Sequence, residues 1–148
     1  MMGEMKRLLH SAILMLAIMV SSSVSFGASE NYFDGVMAYV SGDYETALRI
    51  LKPLAESGDD QAQFHLGFFY FEGKGSPHFP QDDREAVKWY RKAAEQGNAE
   101  AQEKLSALYD LGRGVIQDYV LAYMWINIAA SQGLTSAIKD RPSYVKVL

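Results

Sequence analysis

Few side chains in this chain have the types and spacing for chemistry. Past residue 27 it carries two histidines, His65 and His78, and no cysteine. Hydrolysis needs a nucleophile with a base in reach, or two carboxylates across a cleft. Neither histidine shares a motif with a serine, and no His-x-x-x-His pair offers the spacing of a zinc site. Asp82, Asp83 and Glu85 cluster, but ahead of a helical pattern, where acids complement the positive end of the helix dipole. Gly73-Lys74-Gly75 and Gly112-Arg113-Gly114 invite comparison with phosphate loops. Such loops follow a strand and lead into a helix with a Lys-Ser/Thr pair. Here the glycines follow a helical pattern and read as helix stops, with the base at the dipole's negative end. No catalytic residue, metal or cofactor is expected.

A second chemistry is recognition. In Phe64-His65-Leu66-Gly67-Phe68-Phe69-Tyr70-Phe71, Phe64, Phe68 and Phe71 fall at i, i+4 and i+7, on one side of a helix. The positions 39 residues on are Glu103, Ala107 and Asp110, and the two acids are expected to be solvated. An aromatic stripe beside charges suits a groove for a peptide with apolar anchors, so Phe64, Phe68, Phe71, Glu103 and Asp110 are the candidate partner-binding residues. The competing reading is that the rings fill space left by a short first helix.

The elements that carry these residues repeat. Ala47–Gly58, Ala86–Gly97 and Ala122–Gly133 align without gaps. Offsets +1, +3, +4, +7 and +8 are apolar in all three, which is the spacing of one helical face. Asp43, Asp82 and Asp118 precede them as N-caps, with Asp82 and Glu85 forming a capping-box pattern. Gly58, Gly97 and Gly133 supply the left-handed residue that ends a helix. A second helix follows each glycine: Asp59 and Asn98 cap it, and Ala62, Leu66 and Tyr70 match Ala101, Leu105 and Tyr109 as core positions. A shorter version, Gly35 to Gly42, precedes the first. Helices are expected near 31–41, 44–57, 60–72, 83–96, 99–111, 119–132 and from about 135, with no strand. Trp89 and Trp125 are expected to be equivalent inter-helix core residues. This is an all-α fold, an α/α-hairpin solenoid.

The pattern Ala62…Leu66-Gly67…Tyr70…Gly73-Lys74-Gly75…Asp82…Ala86…Trp89…Ala93-Ala94…Gly97, repeated from Ala101 to Gly133, resembles the Sel-one-like repeat (SLR) family of the tetratricopeptide repeat superfamily. The resemblance covers about residues 33–137. It implies a right-handed superhelix whose concave surface holds a protein or peptide, in exported bacterial adaptors of envelope signalling or host contact. A subgroup described as penicillin-binding or β-lactamase-like carries a cysteine pair in every repeat, and this chain has none. An envelope hydrolase is therefore the disfavoured alternative. Ser106 stands in place of Gly67, and Ser76-Pro77-His78-Phe79-Pro80 lengthens the first interval by three residues. Arg141 and Pro142 occupy the positions of the leucine and small residue in the next helix. The stack is about two and a half repeats long, and its incomplete end leaves a partner-supplied cap, self-association or a truncated reading frame open.

Lys6 and Arg7, the 13-residue apolar run Leu8–Val20 and the small residues to Ala28 describe a signal peptide. The run is short of the ~20 apolar residues that span a bilayer. The expected organisation is a signal peptide over 1–27 and a repeat domain over 28–148, with repeats near 31–58, 59–97 and 98–133 and an incomplete helix over 134–148. The start codon is Met1, Met2 or Met5. The protein is expected outside the cytoplasm, in the periplasm or the medium. With Lys6, Arg7 and Glu4 set aside, 12 bases face 17 acids. Nothing in that balance neutralises phosphates, which disfavours nucleic acid, and no helix pairs a basic face with an apolar one for a membrane surface. The partner is another protein or peptide.

Overall fold

Aspartate and asparagine side chains start the helices where the sequence places them. The computed structural model describes residues 31–73 and 77–139; the signal-peptide segment, Lys74 and the chain beyond Lys139, with Arg141 and Pro142, lie outside the described residues. Among the described residues the elements are all helical: α1 Tyr32–Ser41, α2 Tyr44–Glu56, α3 Asp60–Glu72, α4 Asp83–Glu95, α5 Ala99–Leu111, α6 Tyr119–Ser131 and the five-residue α7 Thr135–Lys139. Asp43, Asp59, Asp82, Asn98 and Asp118 each accept a backbone N–H of the first turn. A buried cap such as Asn98 contributes about 1 kcal/mol. The Asp82–Glu85 pattern is half realised: Asp82 accepts from the Glu85 amide at 3.1 Å, while the Glu85 carboxylate takes Lys88 Nζ at 2.9 Å.

The turns α2–α3, α4–α5 and α6–α7 share one construction. Gly58, Gly97 and Gly133 have φ of 104°, 98° and 87°. The next residue sends its N–H back five positions, from Asp59 to Leu54 O at 3.0 Å and from Asn98 to Ala93 O at 3.1 Å. That is the closure in which a left-handed residue satisfies the orphan carbonyls. Asp59 and Asn98 therefore finish one helix with their backbone and start the next with their side chain. In the third turn Leu134 makes the backbone bond, at 3.4 Å, and carries no side-chain acceptor for α7.

Successive helices pack on one another in antiparallel hairpins. Ala47, Ala86 and Ala122, which open the three aligned segments, are all fully buried. So are Leu51, Leu66 and Leu105, each contributing about 1.5–3 kcal/mol. A Cβ on Gly67 would fall 2.8 Å from Tyr90 Cδ1, so glycine here lets α3 and α4 approach. At the equivalent Ser106 the hydroxyl is absorbed, donating to the Ala122 carbonyl at 2.7 Å.

Glutamines tie the hairpins together. Gln63 Nε2 donates to Ala55 O at 2.9 Å, and Gln63 Oε1 accepts from Gln96 Nε2 at 2.7 Å. One repeat on, Gln102 donates to Ala94 O at 3.0 Å and accepts from Gln132 at 2.8 Å. Gln63 and Gln102 are buried, and burying an amide is tolerated because both ends are bonded.

Two expectations about the core need correction. Trp89 is 5% exposed, but Trp125 is only half-buried, as is Tyr70, whose counterpart Tyr109 is buried. The longer interval is also more than a looser loop. The turns α3–α4 and α5–α6 are closed by the same bond, from the cap amide to a tyrosine carbonyl: Asp82 to Tyr70 O at 2.9 Å, Asp118 to Tyr109 O at 3.0 Å. The extra residues bring Phe79 down into the core, fully buried. Its ring centroid lies 5.5 Å from Tyr39, 5.5 Å from Phe69 and 5.4 Å from Tyr70, all edge-on.

Candidate functional site

The chemistry-bearing acids have structural partners. Asp82 is a cap, Glu85 holds Lys88, and Asp83 receives Arg113 in a two-bond fork at 3.0 and 2.9 Å. The sequence gives Arg113 to a helix end; it instead crosses to the first turn of α4. Gly114 makes this approach available, since a Cβ there would fall 2.3 Å from Asp83 O. Of the histidines, His65 stacks on Tyr32 with centroids 5.7 Å apart, and burial, opposed by the Asp59 carboxylate, holds it below the ordinary imidazole range. Among the described residues no three of His, Cys, Asp and Glu gather as a metal-holding group.

The aromatic stripe is half in and half out. Phe64, Phe68 and Phe71 are each half-buried and pack against the α4–α5–α6 core; Phe68 also touches the core beneath α1 and α2. Phe69, which the i, i+4, i+7 pattern passes over, is the fully engaged ring, stacked on Tyr39 at 3.4 Å. On α5 the expected solvation is inverted: Ala107 is exposed, and Glu103 and Asp110 are half-buried. The structure thus places all five candidates on α3 and α5 and brings Phe71 into a cavity between them.

That cavity is a groove of about 150 Å³ lined by Phe71, Tyr90, Lys104, Ala107, Leu108 and Leu111. One wall is α3 and the other α5, and Tyr90 of α4 lies beneath. Phe71 is held by the Arg113 guanidinium, 4.6 Å from its ring centroid, and Arg113 is itself held by Asp83. Leu111 is 62% exposed. Lys104 is the sole charged residue of the lining. Burial, with the Glu72 carboxylate second, pushes the Tyr90 hydroxyl far above the ordinary tyrosine range, so it stays protonated and a donor. Sequence reasoning missed Tyr90, Lys104, Leu108 and Leu111, because the repeat pattern assigns Tyr90 to the core and says nothing of the others.

A second apolar surface runs from the turn before α6 along that helix. Ile116, Val120, Met124 and Ile128, spaced four apart, are all exposed. The last three stand where α4 has Arg84, Lys88 and Lys92; α6 has no charged residue at all.

Comparison with known proteins supplies the family. The sequence matches the Sel1 repeat over residues 26–59, 60–98 and 99–134. A Sel1 repeat protein from Oxalobacter formigenes is 34% identical with a TM-score of 0.65, covering 72% of this chain and 43% of its own. A protective antigen of uropathogenic Escherichia coli displaying an SLR fold is 32% identical with a TM-score of 0.65, covering 74% of this chain and 24% of its own. An F-box protein of Arabidopsis thaliana is 36% identical over 81 residues, 55% of this chain and 22% of that protein. The chain thus spans less than half the length of each of these relatives. Three matched repeats, carried on hairpins with the same caps and glycine turns, place this chain in the Sel1 repeat family.

Proposed function

We propose that this chain binds a segment of another protein on the face shared by α3 and α5, and that it does so outside the cytoplasm. Sel1 repeat proteins are typically protein–protein interaction scaffolds. The observation that carries the reading here is the groove between Phe71 and Leu111, an apolar cavity left open on a two-helix face. An exposed concave apolar surface of this kind is where partners seat their anchors.

Photo-crosslinking in the producing cell tests the face directly. With p-benzoylphenylalanine at Leu111, inside the groove, one discrete protein adduct is expected; at Glu95, exposed on α4, none is. Identical adducts from both positions, or none from Leu111, would overturn the assignment. Export rests on Lys6-Arg7, the apolar run and the small residues that follow. The secreted or periplasmic protein is expected to begin at Ala28 or Ser29 on N-terminal sequencing, and a protein retaining residues 1–27 would refute processing.

A further inference from the structure

We propose that the chain binds a second copy of itself head to tail, with α1 of one copy seated on the α4–α6 face of the next. This joint is separate from the α3–α5 groove and rests on other residues. Two apolar rows near opposite ends of the helix order carry it. On α1, Phe33, Met37 and Val40 are 59%, 51% and 71% exposed and fall at i, i+4 and i+7, on one side of the helix. The core takes the other side of α1, through Gly35 and Tyr39. On α6, Val120, Met124 and Ile128 form the second row, with Ile116 ahead of it in the preceding turn.

The rows match in shape. At the helical rise, Phe33 to Val40 spans about 10 Å and Val120 to Ile128 about 12 Å. Side chains spaced by four form the ridges that interlock between packed helices. Each row exposes on the order of 400 Å² of apolar surface, the scale at which a patch on a monomer is often functional. Covering both gives a small interface, so the joint is weak and reversible.

Charge selects the pairing. The single charged residue of α1 is Asp34, exposed beside Phe33. The α6 row has no charge of its own, but α4 runs alongside it. Gly114, just before α6, lies against Asp83 at the start of α4. Gln102 bonds both Ala94 O at the end of α4 and Gln132 just past α6. Arg84 of α4 shares a cavity with Ile116 at the head of the row. The charged side chains exposed on α4 are Arg84, Lys88, Arg91, Lys92 and Glu95, four bases to one acid. Two α1 rows together bring acid to acid, and two α6 rows bring one basic rim to another. Only the mixed pair opposes signs, and a mixed pair is a heterologous contact, which leaves each copy a free face for the next.

Sedimentation velocity tests the joint on the chain purified from the producing cell, between about 10 µM and about 1 mM, where weak complexes become populated. The sedimentation coefficient is expected to climb with concentration. Met37→Glu and Val120→Glu, each at an exposed site, are each expected to stay monomeric with an unchanged melting temperature. Their equimolar mixture is expected to form one-to-one dimers and nothing larger, because one copy keeps α1 intact and the other keeps the α6 row. Val40→Glu and Met124→Glu repeat the test if either first variant melts early. Undiminished association of either variant alone would mean a like-to-like joint and overturn the proposal, as would a mixture that stays monomeric. A wild-type chain that is monomeric throughout overturns it too. If that monomer sediments with phosphatidylglycerol vesicles, the α4–α6 face meets an anionic membrane instead.

Discussion

Phe79→Ala is expected to lower the stability of the fold by about 3–5 kcal/mol, the cost of deleting a fully buried phenyl ring. Phe79 sits in a turn, where alanine substitutions ordinarily move stability by no more than ~0.5 kcal/mol. The difference is burial: its ring is fully covered and touches Tyr39, Phe69 and Tyr70 edge-on. Such pairs are worth about 0.5–1.5 kcal/mol beyond the area they bury. Removing the ring opens a cavity among residues of α1 and α3, whose own positions are fixed by helix packing and cannot close it. Urea denaturation followed by circular dichroism measures the loss. His78→Ala, one residue away and exposed, is the control, and equal midpoints for the two variants would show that Phe79 is not an anchor.

Trp89→Ala and Trp125→Ala are expected to part company. The repeat alignment makes them equivalent, yet Trp89 is sealed and Trp125 is half-open. Trp89 belongs to the core under α2 and α3, and both Lys88 and Lys92 lie over its ring, with Lys92 Nζ 4.6 Å from the centroid. Its loss is expected to cost about 3–5 kcal/mol. Trp125 sits on α6, where Met124 and Ile128 replace those lysines, and a partly exposed ring gives up less area. About half the cost is expected there. The same denaturation experiment reads both, and equal midpoints for the two variants would refute the difference in burial.

These two cases show which parts of the fold are legible in sequence. Caps and stops were legible because they depend on one residue's conformation. Asp59 and Asn98 accept the N–H groups predicted for them, and Gly58, Gly97 and Gly133 adopt positive φ. The helical face was legible because 3.6-residue periodicity is local. Depth was not: Trp125 and Tyr70 share a pattern with buried residues, but burial depends on what lies opposite. The candidate site suffered most. A stripe at i, i+4, i+7 describes a side of α3 without saying what packs against it: all three rings lie half-buried against the α4–α5–α6 core, and Phe71 also lines the groove. Tyr90 was hidden by its very fit to the repeat, since a core position gives no sign that its hydroxyl lacks a partner. The glutamine ladder was readable: Gln63 and Gln102 recur at the 39-residue interval and Gln96 and Gln132 at the 36-residue one, polar identities in a register otherwise kept apolar.

The doubled duty of Asp59 and Asn98 has a mechanical consequence. A joint in which one residue both closes a helix and opens its neighbour has no slack: an inserted residue would separate the two tasks and lose one of them. The three glycine turns, at 57–59, 96–98 and 132–134, have the same length. The turns over 73–82 and 112–118 do not; they absorb the three-residue difference between the intervals. The glycine joint before α2 is built the same way, with Gly42 at φ 85° and Asp43 both closing α1 on Ala38 O and capping α2. The length difference thus falls between α3 and α4, while the elbow between α4 and α5 keeps the common length, so the α5 wall of the groove is tied to the Tyr90 beneath it by a joint that admits no insertion.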